Sequence, residues 1–217
     1  RVETEKYYTS DADLVKDIVD AYGKVIQDLY NAGCRNIQLD DCTWGMMADR
    51  SGHLAYGTTA EGLKEIQKIH KDINNQVIAN APKDMIINTH VCRGNFHSTY
   101  ASSGAYTSVA DVLFGEENAN AYYLEFDDER SGGFEPLAKI SGNKKVVLGL
   151  ITTKSPKLEN KEEVIARIKE AANYIPLDRL YLSPQCGFAS CEIGNKLTEK
   201  EQWDKLRLVK EIAEEVW

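Results

Sequence analysis

Apolar positions along the chain fall either at a three-to-four spacing or in short unbroken runs, and the two patterns take turns. Over residues 11–31, Leu14, Val15, Ile18, Val19, Tyr22, Val25, Ile26 and Leu29 mark one face of a helix. Ser10 with Asp13 resembles a capping box at its start, and Gly33 supplies a stop at its end. Residues 36–41 then read as a short strand ending in two carboxylates, Asp40 and Asp41. A loop is expected as far as Gly57, after which Thr58 and Glu61 open a second helix on Leu63, Ile66, Ile69 and Ile73. A strand at 85–91, a polar loop to Tyr106, a short helix near 107–114 and a strand at 121–126 follow. Residues 134–140 read as a short helix, and 145–151 as a nearly all-apolar strand of the kind covered on both faces. Asn160 with Glu163 caps a helix to about Tyr174, and 180–183 is the last strand. Thr198 with Glu201 caps the closing helix, with Trp203, Leu206, Val209, Ile212 and Ala213 expected inward.

The order is therefore one helix, then five strands each followed by a loop and a helix. Such alternation implies a parallel sheet with helices on its faces. Polar residues gather after the strands rather than before them, as in barrels and open α/β sheets whose sites lie at the carboxyl ends. No linker, low-complexity tract or short repeat divides residues 1–217, which read as a single domain.

Composition narrows the function. Apolar residues make up 42% and charged ones 28%, the balance of an ordinary globular protein. A net charge of −8 argues against nucleic acid or a membrane surface as partner. The five cysteines are odd in number and scattered, so a reducing, cytoplasmic setting is expected rather than a disulfide framework. No run approaches the ~18 apolar residues of a membrane span, and no signal peptide opens the chain. The first residue is Arg1 rather than Met, which allows for sequence upstream.

Candidate chemistry sits on successive strand ends. His90 and Cys92 are two residues apart and share a face, with Cα atoms about 6–7 Å apart along a strand. Alone, this pair reads first as a buried cysteine beside a hydrogen-bonded histidine, and the rest of the chain shifts that reading. Glu125 lies inside an apolar strand, where a carboxylate needs a cation, a metal or a hydrogen-bonding network. Cys186, between Gln185 and Gly187, belongs to a sharp loop rather than a core face. Together the two cysteines, the histidine and the glutamate are a ligand set for one Zn²⁺ at the mouth of a parallel barrel. Asp41 reads as a solvated loop residue or a helix cap, and Cys34, Cys42 and Cys191 as structural or incidental.

These residues carry a resemblance. His90-Val91-Cys92 after an apolar strand, Tyr123-Leu124-Glu125, Pro184-Gln185-Cys186-Gly187-Phe188 and Ile37-Gln38-Leu39-Asp40-Asp41 resemble the catalytic domain of cobalamin-independent methionine synthase. The likeness spans essentially the whole chain and looks closest to the short, single-barrel relatives. It implies a (β/α)8 TIM barrel of which this chain holds the last five βα units, the first three strands being absent. It also implies zinc held by His90, Cys92, Glu125 and Cys186. Asp40 would bind the amino group of a thiol such as homocysteine, and a methyltetrahydrofolate would donate the methyl group. The resemblance then implies that the missing N-terminal strands are disordered or removed sequence, or are supplied by a partner, the N-terminal half of the same barrel. One departure concerns the donor: Thr152-Thr153-Lys154-Ser155-Pro156 stands where long methionine synthases have Asp-Ile-His-Ser-Pro. Lys154 thus replaces the histidine proposed to protonate the folate, or is an exposed loop lysine.

Three functions compete. The first is zinc-dependent methyl transfer from a folate to a thiol. The second keeps the zinc thiolate but takes methylcobalamin or an epoxide as donor, or a coenzyme M-like thiol as acceptor. The third is a structural zinc in a barrel remnant that acts as a binding module. A uroporphyrinogen-decarboxylase-like reading shares the fold and has no use for His90 and Cys92.

Overall fold

The computed structural model describes residues 3–217. The chain runs α1 (Asp11–Asn31), β1 (Asn36–Asp40), α2 (Cys42–Ala48), α3 (Gly52–Ala55), α4 (Ala60–Ala79), β2 (Ile86–Val91), α5 (Ala110–Glu116) and β3 (Ala121–Glu125). It continues through β4 (Lys145–Ile151), α6 (Lys161–Ala171) and β5 (Leu180–Pro184) to α7 (Glu199–Val216). Helix starts follow the capping chemistry in the sequence. Ser10 accepts from the Asp13 amide, Asn160 from the Glu163 amide, and Thr198 and Glu201 form a reciprocal capping box. The cap of α4 is Thr59, one residue later than expected, and it accepts from Gly62.

Among the described residues the five strands form one parallel sheet in the order β1-β2-β3-β4-β5. Each strand pairs with its neighbour in sequence, with no reversal of direction around the sheet. That is the wall of a barrel; a doubly wound sheet would reverse its strand order at a switch point. The helical side of the sheet holds the main core, from Trp44 and Met47 through Phe114, Tyr122 and Leu148 to Ile168 and Ile212. A smaller cluster of Val19, Ile26, Val77, Met85 and Ile87 lies under α1. The opposite face carries the in-register row Asp40, His90, Tyr123, Val147 and Tyr181.

Three expectations need correction. Residues 42–55, read as loop, form α2 and α3. Asp41 caps α2 by accepting from Thr43, and Trp44 and Met47 fill the core. In α7, Trp203 points outward at 51% exposure and donates to Glu199. Its inward face is Lys205, Leu208 and Ile212, because the buried Lys205 ammonium is matched by Glu159 at 2.8 Å and the Lys157 carbonyl at 2.7 Å. Finally, α1 buries only Val19 and Ile26 of its apolar face; Tyr22, Val25 and Leu29 stay exposed, as does Ile69 of α4. Of these, Tyr22 lines a cavity with Leu39 and Asp40 of β1, an edge strand among the described residues.

Candidate metal and thiol site

The sheet delivers four ligand types to one point. His90 is the penultimate residue of β2, and Cys92 follows the strand by one residue. Glu125 ends β3, and Cys186 lies two residues beyond β5. One donor atom from each of His90, Cys92, Glu125 and Cys186 lies within 4.8 Å of the other three. The close approach depends on Gly149 in β4. A Cβ there would sit 2.7 Å from both the Leu124 carbonyl oxygen and the Gln185 Cα, so only glycine lets β3 and the Cys186 loop approach this closely. A shift in the β4–β5 register at Gly149 and Ile151 turns that loop toward the site.

The donors suit a metal in their second contacts as well. His90 Nδ1 lies 3.2 Å from the Tyr123 carbonyl, which fixes the tautomer with Nδ1 as the donor. Nε2 is then a bare lone pair, buried and without a hydrogen-bond partner. This is how a metal-binding imidazole is oriented from its far side. Burial disfavours charge on His90, yet the facing Cys186, with Glu125 and Asp40, raises its pKa overall. The two thiols share protons unequally. Contact with Cys92 and His90 pulls Cys186 down toward the thiolate, and Cys186 together with burial pushes Cys92 up. Such a cluster holds one thiolate readily and a second only with a cation present.

Glu125 is fully buried and its pKa is raised by burial, against the Arg93 amide, Lys154 and Arg130. Each oxygen is held: Oε1 by the Arg93 amide at 2.8 Å and Oε2 by Arg130 at 2.8 Å. Arg130 also pairs with Asp127 at 2.8 Å and with Asp128. Lys154 Nζ is buried, without a hydrogen-bond partner, and near enough to Glu125 to act on its charge. Of the two sequence readings of Lys154, the exposed loop lysine is set aside. Asp40 is exposed and lines a cavity of about 360 Å³ together with Gln38, His90, Tyr123, Ser183 and Cys186.

Several residues of the site carry no signal in the sequence. Asn95 donates to the Gly187 carbonyl at 2.6 Å and to Ser190 Oγ at 2.7 Å, and Ser190 lies 3.7 Å from the Cys186 sulfur. Asn195 donates to Asn95 and to the Thr153 carbonyl and accepts from the Ser98 amide, so it joins the loops after β2, β4 and β5. Gln185 accepts from both the amide and the hydroxyl of Thr153 at 2.7 Å. Behind β1, Asp41 accepts from His70 at 2.8 Å and Asn74 at 2.9 Å. The buried Glu117 accepts from Asn74 and Trp44, and burial lifts its pKa to about 7. The spacing of His70 and Asn74, four apart on α4, was the available sign of that second network.

Comparison with known proteins places this geometry. Residues 6–215 match the family described as cobalamin-independent synthase, catalytic domain. The uncharacterized protein YxjG of Bacillus subtilis is 45% identical over 221 aligned residues, which cover 100% of this chain and 58% of that protein. A methionine synthase of Pyrococcus horikoshii is 26% identical over 182 residues, 84% of this chain and 45% of that one. A crystal structure of a candidate vitamin-B12-independent methionine synthase from Listeria monocytogenes superposes with a TM-score of 0.75 at 37% identity, over 97% of this chain and 57% of that one. The chain thus spans about half the length of the relatives it matches.

Proposed function

Since the chain belongs to the cobalamin-independent methionine synthase catalytic-domain family, we propose that it contributes the thiol-activating half of a zinc-dependent methyltransferase barrel acting on homocysteine. The observation that carries this is the convergence of His90, Cys92, Glu125 and Cys186 donor atoms within 4.8 Å. These four would hold the zinc. When bound, zinc keeps a substrate thiol in its nucleophilic thiolate form near neutral pH.

The remaining roles belong to side chains. Asp40, in the cavity beside His90 and Cys186, receives the ammonium of the amino-acid thiol. Arg130 and the Arg93 amide hold Glu125 in one orientation, so the site keeps its shape when the acceptor enters. With a methyltetrahydrofolate as donor, the methyl carbon moves from nitrogen to sulfur. The C–N bonding pair stays on the nitrogen, which takes a proton from the Lys154 ammonium. The buried, unpartnered Nζ beside Glu125 supports that role. The folate pocket and the first three βα units are assigned to sequence outside this chain, docking along β1 and the exposed face of α1. Among the described residues no helix is long and apolar enough to cross a membrane, and the five cysteines are unpaired. Both fit a cytoplasmic setting.

The test uses the protein with its complete barrel. Zinc content is measured, and methyl transfer to homocysteine is followed with methyltetrahydrofolate and methylcobalamin offered separately. Stoichiometric zinc and turnover with the folate are expected, with zinc lost in Cys92→Ala and Cys186→Ala and kept in Cys191→Ser. Equal zinc retention in all three variants would refute the ligand assignment. Turnover with methylcobalamin alone would move the protein to the corrinoid-dependent alkyltransferases.

A further inference from the structure

The first turn of α2 is pressed against the end of β2. A Cβ on Gly45 would lie 2.3 Å from the Cys92 carbonyl oxygen, so this glycine lets the helix seat directly on the Cys92 backbone. Cys42 stands three residues earlier on the same helix face. The β1–β2 register pairs Asp40 with His90, two residues before Cys42 and Cys92 respectively, and the Asp41 amide continues the ladder onto the His90 carbonyl at 2.8 Å. As a result Asp40, Cys42 and Cys92 bring one donor atom each to within 4.8 Å of one another. This trio lies on the Cys42 side of the Cys92 sulfur, and it shares only Cys92 with the ligand set already described.

We propose that Asp40, Cys42 and Cys92 form a second cation site, specific for a thiophilic divalent ion such as Zn²⁺ or Cd²⁺, with the Cys92 sulfur bridging the two ions. Two sulfurs and a carboxylate are a soft donor set that excludes Mg²⁺ and Ca²⁺, which take oxygen ligands. Three protein ligands leave one tetrahedral position open. Entry of the ion displaces the proton of the Cys42 thiol, whose thiolate then serves as a ligand. Cys42 and Asp40 are exposed, which gives the ion an entry path from solvent. The shared use of Cys92 rests on the proposed zinc site. If Asp40 also receives the substrate ammonium, ion and acceptor exclude each other, and excess zinc becomes a competitive inhibitor.

The probe is Cd²⁺, titrated into metal-free protein and followed by thiolate-to-cadmium charge-transfer absorbance with equilibrium dialysis. Cys34→Ser and Cys191→Ser form the background, so that remote thiols do not contribute. Two equivalents are expected. Cys42→Ser should keep the first and lose the second. Asp40→Asn should keep both thiols and weaken the second equivalent at least about tenfold, the loss that outer-shell changes alone produce at metal sites. Circular dichroism confirms that the variants fold. One equivalent in both the parent and Cys42→Ser would overturn the second site and leave the first standing. No binding in the parent would overturn both. Two equivalents retained in Cys42→Ser would place the second ion elsewhere and also sink the proposal.

Discussion

Asn95, on the loop after β2, donates to the carbonyl of Gly187, the residue next to Cys186, at 2.6 Å. The two residues are 92 positions apart in the chain. Their bond holds the Cys92 and Cys186 loops at one spacing, with Ser190 as a second anchor for Asn95. Asn95→Ala removes both donor contacts without touching a ligand atom. We expect zinc affinity to fall about 10–100-fold, the usual cost of losing an outer-shell partner. A competition titration against a chromogenic chelator reads this directly, and unchanged affinity would show that the loops hold their spacing without Asn95.

Lys154 is expected to act on turnover and not on metal. Its value lies in the position of its buried Nζ beside Glu125. Lys154→Met, in the complete barrel, should lower turnover with methyltetrahydrofolate while leaving zinc bound. Turnover equal to that of the parent protein would remove this lysine from the chemistry.

Glu117 makes stability depend on pH. Burial raises its pKa from 4.5 to about 7, so between those values the folded state binds more protons than the unfolded one. Stability must therefore fall as pH rises through that window, by an amount on the order of 3 kcal/mol in total. Asp41, whose pKa is lowered by His70 and Asn74 in spite of burial, titrates below the window and leaves its slope unchanged. Glu117→Gln keeps an acceptor for Trp44 and Asn74 and should flatten the profile. Urea midpoints at pH 5 and pH 7.5 for both proteins decide the matter, and parallel profiles would contradict it.

The open edge at β1 should be visible in solution. Among the described residues β1 ends the sheet, and Tyr22, at 52%, and Val25, at 56%, are exposed on α1. We expect this chain by itself to self-associate and to bind a hydrophobic dye. Supplying the three preceding βα units of a full-length relative should suppress both. A dye-silent monomer from residues 1–217 would show the edge to be self-sufficient.

The convergence of His90, Cys92, Glu125 and Cys186 was legible because each lies at or within two residues of a strand's carboxyl end, where alternating β and α patterns place chemistry. The network that braces them was not. Asn95 and Asn195 stand 100 residues apart in polar loops, where an asparagine announces nothing until the sheet brings the loops together. Helix α2 was hidden because its seven residues include a glycine and lie within a stretch rich in turn-forming side chains. Trp203 and Lys205 changed places for a different reason. Hydropathy puts a tryptophan inside and a lysine outside, and it cannot register Glu159, 46 residues earlier, waiting to pair with the ammonium.

That last pair has a consequence for how the protein is made. Glu159 holds the Thr152 amide at 2.9 Å as well as Lys205, so the loop bearing Lys154 is fastened through the last helix. A chain leaving the ribosome presents His90, Cys92 and Glu125 long before Cys186 emerges, and Lys205 emerges later still. Fastening of the Lys154 loop is therefore a late event of synthesis, because it waits for residue 205 to emerge.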